Sequence, residues 1–341
     1  MDIEFHYHMT YLIAAKAGYA PNDAAVIAYA CQFTDDNIHS YVIDEDNPAT
    51  RYENYYSQTY DITKPKAELF RVYCVFHFLP GDPMSKSTDR VDGLMHWLNT
   101  TPASANAVGM LTQALDSGDL YRLGIACHTY ADTFAHQNFI GFNSVFNSLK
   151  NLFSSITPNI GHAEAVHKPD RAGKVWEDTR LLSPQVVNKA RFLDAARSLF
   201  LHLAGRKSPQ AVAGEIEAAA DELVNDLDEA IGGPDPNNDQ ADSRIARYQA
   251  LATKQPYGTT LLPDYDPKAW FTQAVDVDIR GLPDWMSWFP DILPDTLSWI
   301  SPGTSQQSHW YRFQEAVKDH QKDTLALLKQ NTLKRLSLPG W

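Results

Sequence analysis

Leu123-Gly-Ile-Ala-Cys-His128-Thr-Tyr-Ala-Asp132-Thr-Phe-Ala-His136 is the stretch from which the rest of the chain can be read. Residues four apart on an α-helix stand one above the other, so His128, Asp132 and His136 line a single stripe. The flanking Leu123, Ile125, Ala126, Ala131 and Phe134 are residues of a buried helix. Imidazoles and a carboxylate are costly to bury among such neighbours unless something compensates them. A divalent metal does so directly, because it binds neutral imidazole and carboxylate oxygen. Hydration or internal hydrogen bonding of the stripe is the competing account.

Outward from this helix the pattern stays helical. The turn Asp116-Ser117-Gly118-Asp119 supplies a cap at its start. Upstream, helices are expected over residues 10–18, 24–33, 89–99 and 103–115, the first stopped by Gly18 and the second opened by Pro21-Asn22-Asp23, while residues 67–78 are apolar and aromatic and are broken at Pro80-Gly81-Asp82-Pro83. Residues 37–66, rich in tyrosine, read as a long surface excursion. Downstream, Phe192, Ala196, Leu199 and Leu203 mark one helix, and Ile216, Ala220, Leu223, Leu227 and Ile231 another with an acidic, solvated opposite face. A short helix near 244–254 and a long one over 306–336 follow, and no run of alternating residues argues for strands. The expected fold is all-α, a multi-helix bundle.

The clearest break is Gly232-Gly-Pro-Asp-Pro-Asn-Asn-Asp-Gln-Ala-Asp242. Residues 1–231 are therefore expected to form a metal-binding helical domain and 232–243 a linker. Residues 244–341 are read as a Trp/Pro-rich extension whose final helix packs back on the first domain. In that extension Trp285, Trp288, Phe289 and Trp299 would suit either a lipid headgroup layer or a cover over the bundle. The stretch 282–300 has no Lys or Arg to attract anionic lipid.

At 341 residues the chain can bury a large core. Its net charge of −13 argues against general affinity for nucleic acid, although not against a metal-dependent nuclease whose cations offset local repulsion. Cys31, Cys74 and Cys127 lie in hydrophobic runs without CxxC spacing and read as small core residues. The polar, acidic N-terminus does not resemble a cleaved signal, and no stretch approaches the ~20 apolar residues of a membrane span. Cytoplasmic synthesis is the expectation, with signal-independent secretion as the alternative.

Nine of the twelve histidines fall in the first half, so the site is sought there. His6 lies in Phe5-His6-Tyr7-His8, with His8 as its alternate. Asp35 and Asp36 follow Gln32-Phe33-Thr34, and His77 sits in Phe76-His77-Phe78-Leu79-Pro80-Gly81. After the central stripe come His162, Glu164, His167 and Asp170 in Ile160-Gly-His-Ala-Glu-Ala-Val-His-Lys-Pro-Asp170. A single histidine on an apolar face is usually satisfied by hydrogen bonds. Several, interleaved with carboxylates, point to metal.

In this order of His, Asp, His-Phe, His-x-x-x-Asp, His and His the chain resembles the zinc-dependent phospholipase C and P1 nuclease superfamily. It resembles still more closely a bacterial family of unknown function, over roughly residues 1–180. The first resemblance implies an all-helical bundle holding one to three zinc ions (manganese or iron as alternatives) for phosphoester hydrolysis. It implies His6, Asp35 or Asp36, His77, His128, Asp132, His136, His162 and Glu164 or Asp170 as metal ligands, with Asp132 bridging two ions. Those secreted enzymes also use the α-amino group of a processed tryptophan, whereas this chain starts at Met1. Their closing His-x-x-x-Glu is absent, since Val166 stands four residues after His162.

The chemistry follows from such ligands. Bound zinc brings the pKa of water down to roughly 7, and whichever of Asp35 and Asp36 does not bind metal would take the nucleophile's proton. Lys168 and Arg171 would hold a phosphate oxygen if they are not simple surface charges. The expected function is a metal-dependent phosphoric ester hydrolase, phospholipid substrates favoured, with peripheral membrane contact. A nuclease, another ester or amide hydrolase, and a protein whose metal is purely structural are the alternatives.

Overall fold

The computed structural model describes residues 1–61, 63–85, 88–149, 160–278 and 296–335. The fold is built around α5 (Leu120–Ala135), which Asp119 opens by accepting from the Tyr121 and Arg122 amides at 2.8 and 2.9 Å. From Leu123 to Ala135 every residue of α5 is buried, which requires neighbours on all sides. They are α2 (Pro21–Asp36), α4 (Ala105–Ser117), α6 (Asn188–Lys207) and α10 (His309–Gln330). Further out, α1 (Thr10–Lys16) packs on α2 and α6, α7 (Ala213–Ile231) packs on α6, α3 (Lys66–Val72) runs into Tyr73–His77, and α9 (Ala269–Ala274) packs on α10.

The approach of α2 to α5 is set by Gly124. A Cβ there would stand 2.5 Å from both the Ala30 Cβ and the Ile27 carbonyl oxygen, so the helices are close enough that only glycine fits. The ends of α2 and α5 that carry the acids and histidines are thereby held side by side.

The all-α expectation holds at the level of class, with three local differences. Residues 89–99 form turns and an isolated bridge between Arg90 and Leu181, not a helix. Asp92 captures the Leu94 amide at 3.0 Å and Gly93 adopts φ +66°, so a local side-chain bond displaces helical hydrogen bonding. Small antiparallel ribbons pair β1 (Val42–Ile43) with β2 (Tyr52–Glu53), β3 (Val175–Glu177) with β4 (Gln185–Val187), and β5 (Val275–Asp278) with β6 (Thr296–Trp299). The excursion over 37–66 is also anchored inward, with Ile43, Asn54, Ser57 and Thr59 buried.

One hydrophobic core runs from Met1 to Leu333 and takes residues from both sides of the 232–243 stretch. That stretch is itself tied down. Buried Arg244 of α8 (Ala241–Ala252) makes a bidentate pair with Glu4 at 2.7 and 2.8 Å and donates to Asp235 and Asn238 at 2.6 Å. Trp299 is buried, its indole N–H donating to the Thr50 carbonyl at 2.9 Å, so this ring packs inside. Trp285, Trp288 and Phe289 lie outside the described residues. Among the described residues no helix is long and apolar enough to cross a membrane.

Two substitutions test this frame. Gly124→Ala should lose about 1–3 kcal/mol through overpacking between α2 and α5. Arg244→Met, which strands Glu4 and Asp235, should lose about 3–5 kcal/mol. Urea denaturation reads both, and wild-type midpoints would contradict the packing described.

Candidate metal centre

Two helical segments near the site are widened into π turns, Glu4–Met9 and Tyr73–His77, and each carries a site histidine, His6 and His77. Such turns are rare and concentrate at functional sites. Here they bring His6 and His77 against α5, where His128 and Asp132 project, while Asp35 arrives from the end of α2.

The imidazoles are oriented by backbone carbonyls, which can only accept. His77 Nε2 therefore donates to the Ser57 oxygen at 3.0 Å and His128 Nδ1 to the Cys31 oxygen at 2.9 Å. His136 Nδ1 donates to the His77 oxygen and His162 Nδ1 to the Val166 oxygen, both at 2.7 Å. In each neutral ring the other nitrogen is then a bare lone pair facing inward.

Those lone pairs face one another and the carboxylates. His77 Nδ1 and His128 Nε2 are 3.0 Å apart, and Asp35 Oδ1 lies 3.6 and 3.7 Å from them. Asp132 Oδ2 is 3.3 Å from His128 Nε2 and 3.5 Å from His77 Nδ1, and its Oδ1 is 3.3 Å from His6 Nε2. On the far side, Asp170 presents Oδ1 to His136 Nε2 at 3.0 Å and Oδ2 to His162 Nε2 at 3.5 Å. Asp132 thus stands between two groups, Asp35–His77–His128 and His136–His162–Asp170, each compact enough to hold an ion, and His6, Cys31 and His128 form a third compact group.

Acceptors in mutual contact repel unless a cation lies among them. Among the described residues one cation lies there: the Met1 α-ammonium is paired with Asp132 and lies 3.5 Å from Asp170. Burial by itself would lower its pKa, but Asp132, Asp170 and Asp35 more than reverse this and push it up to about 11. One ammonium stands against three carboxylates, and the buried His6 Nε2 has no hydrogen-bond partner. A proton on His128 would settle its contact with His77. Divalent ions would settle both groups at once, and the donor set fits them. Although burial opposes ionisation, His136, the Met1 ammonium and His128 hold Asp132 well below the usual carboxylate range. Asp170 is likewise held low against burial, chiefly by His162 and the Met1 ammonium.

The cluster forms the floor of a cleft of about 450 Å³, whose walls include Tyr60, Tyr73, Phe78, Ile160 and Val166. The Asp35 side chain keeps a quarter of its surface exposed, so solvent reaches the inward face of the cluster.

By family the chain is now placed. It belongs to the Family of unknown function (DUF6765), whose model matches residues 1–328. No curated protein and no solved structure matches it.

Of the residues expected at the site, this DUF6765 chain brings together His6, Asp35, His77, His128, Asp132, His136, His162 and Asp170. Asp36 lines the cleft but faces away from the imidazoles, accepting from Tyr265 Oη at 2.8 Å and Gln32 Nε2 at 3.1 Å on its Oδ2. Glu164 turns elsewhere, its carboxylate accepting from the Leu149 amide at 2.8 Å and the Ser148 hydroxyl at 3.3 Å. His8 points away toward Tyr248. Lys168 and Arg171 do not line the cleft; their carbonyls accept from Asn188 Nδ2. Gln32, one helical turn before Asp36, was findable by spacing. Tyr265, Ser57 and the Met1 nitrogen carry no local signal.

Burial lowers His6 and His320 to about 3 and His8 to about 4 from an ordinary 6.5. Their stabilising contribution is full above about pH 6.5 and is lost as pH falls toward those values. Asp132, Asp170 and His162 are also lowered and act in the same sense. His128, raised by Asp35 and Asp132 against the effect of burial, and Asp2 and Asp36, raised by burial, oppose them. Chelator-treated protein should therefore lose stability between about pH 7 and 4, by up to about 1.4 kcal/mol per pH unit for each proton taken up. A flat or rising profile in urea titrations would contradict this.

Proposed function

We propose that this protein is a metal-dependent phosphoric ester hydrolase holding two divalent ions, zinc foremost, in a helical bundle of the zinc-dependent phospholipase C and P1 nuclease type. The observation that carries the proposal is the inward set of bare imidazole nitrogens, each fixed by a carbonyl, around Asp35, Asp132 and Asp170. Outer hydrogen bonds of this kind orient metal-binding histidines. Asp35, His77 and His128, with His6 and Asp132, would hold one ion; His136, His162 and Asp170 would hold the other, with Asp132 between. Bound there, divalent ions supply Lewis acidity toward a phosphoryl oxygen and acidify water toward neutral pH.

The chain's own residues supply the rest. The Asp36 pKa is raised from its ordinary value by burial, tempered by hydrogen bonds from Gln32 and Tyr265. A carboxylate of raised pKa on the cleft wall is suited to take the proton of attacking water. Tyr60, Tyr73 and Phe78 provide apolar and aromatic surface for the substituents of the ester. Among the described lining residues are five aspartates and no lysine or arginine, a poor surface for a polyanion. This favours one isolated phosphodiester, as in a phospholipid headgroup, over a nucleic acid strand. The open cleft and the absence of cysteine thiolate among the inward donors favour catalysis over a closed structural metal.

Elemental analysis of the purified protein should find about two ions per chain, the number a paired phosphoesterase site uses, and Asp132→Asn should lose metal. Asp36→Asn should keep its metal while hydrolysis of phospholipid and simple phosphodiester substrates falls about 10²–10⁴-fold. A wild-type protein that neither contains nor takes up metal would overturn the proposal.

A further inference from the structure

Cys31 touches two site histidines at once. Its carbonyl oxygen accepts from His128 Nδ1 at 2.9 Å, and its Sγ lies 3.5 Å from His6 Nδ1. The two imidazoles are stacked, with centroids 4.0 Å apart and planes 25° from parallel. Cys31, His6 and His128 are fully buried, and His6 Nε2, on the opposite edge of its ring, has no hydrogen-bond partner.

The direction of the hydrogen bonds follows from one proton per link. Thr10 Oγ1 donates its only hydrogen to the Phe5 carbonyl at 3.0 Å. Toward Cys31, 3.6 Å away, the Thr10 oxygen can therefore only accept, and a thiol hydrogen directed there leaves Sγ free to accept from His6. In that arrangement Sγ meets His6 as an acceptor and the His6 proton sits on Nδ1. Nε2 is left bare, 3.3 Å from Asp132 Oδ1 and 3.9 Å from Asp35 Oδ2. The Met1 ammonium already donates to that Asp132 oxygen.

We propose that Cys31 is a positioning residue of the metal centre: its thiol, itself directed by Thr10, sets the tautomer and ring orientation of His6, while its carbonyl does the same for His128. This rests on the metal reading above. Sγ itself is placed on the wrong edge of His6 to join the inward donors. Burial also pushes the thiol well above its ordinary range and keeps it neutral, unsuited to be a thiolate ligand. Cys31 thus acts through His6 and not on the ion.

The test separates the tautomer from the metal. Long-range ¹⁵N–¹H correlation spectra of the metal-free full chain should show His6 protonated on Nδ1. Cys31→Ser, which can accept from His6 and donate to Thr10, should keep that tautomer and stay within a few-fold of wild-type zinc affinity. Cys31→Val, which can do neither, should move the proton to Nε2 and weaken zinc binding about 10–100-fold. Thr10→Val leaves Cys31 and His6 intact and removes the acceptor for the thiol, so it should shift His6 in the same direction should Cys31→Val not fold. An Nε2-protonated His6 in wild type, or an unchanged tautomer in both valine variants, would overturn the proposal. A wild type that binds no zinc but shows the expected tautomer shifts would instead remove only the metal reading.

Discussion

The candidate metal centre depends first on how closely α2 approaches α5. Asp35 and the Cys31 carbonyl come from α2, and His128 and Asp132 from α5. A hydrogen bond of 2.9 Å and acid-to-imidazole distances near 3.6 Å tolerate little displacement. The contact at Gly124, where even a methyl group would collide with Ala30 and the Ile27 carbonyl, closes the gap between the helices. Close packing passes such a constraint along the helix, because buried side chains have no room to absorb a shift.

A helical bundle has few spare carbonyls with which to orient buried imidazoles, since most are used within helices. This site draws two anchors from loops, Ser57 and Val166, and one from His77 at the end of a π turn, where carbonyls lose their intrahelical partners. The fourth, Cys31, shares a helical carbonyl whose second lone pair remains free. Irregular backbone is concentrated where ring orientation has to be imposed. The same economy places His77 in two roles: its ring faces the site and its carbonyl orients His136.

The chain beyond residue 243 is part of this arrangement. Arg244 pins the first turn through Glu4, Tyr265 reaches Asp36, and α10 covers α5. Gly-Gly-Pro-Asp-Pro is expected as a linker, and Asp235 and Asn238 within that stretch hold it against Arg244. Turn chemistry specifies where a chain reverses, not whether the segments it joins share a core.

The helical class, the His128–Asp132–His136 stripe and its burial were legible in the sequence, because periodicity and local composition are local properties. So was the approximate set of inward acids and histidines, since polar residues within apolar runs stand out one by one. Tertiary structure alone decided between neighbours: Asp35 over Asp36, His6 over His8, and Asp170 over Glu164. Adjacent positions on a helix differ by about 100° in direction, and only the packed partners show which direction is inward. It also decided the role of Cys31, whose sequence context is that of any small core residue. Its thiol and carbonyl acquire meaning only when α2, α5 and the first π turn meet.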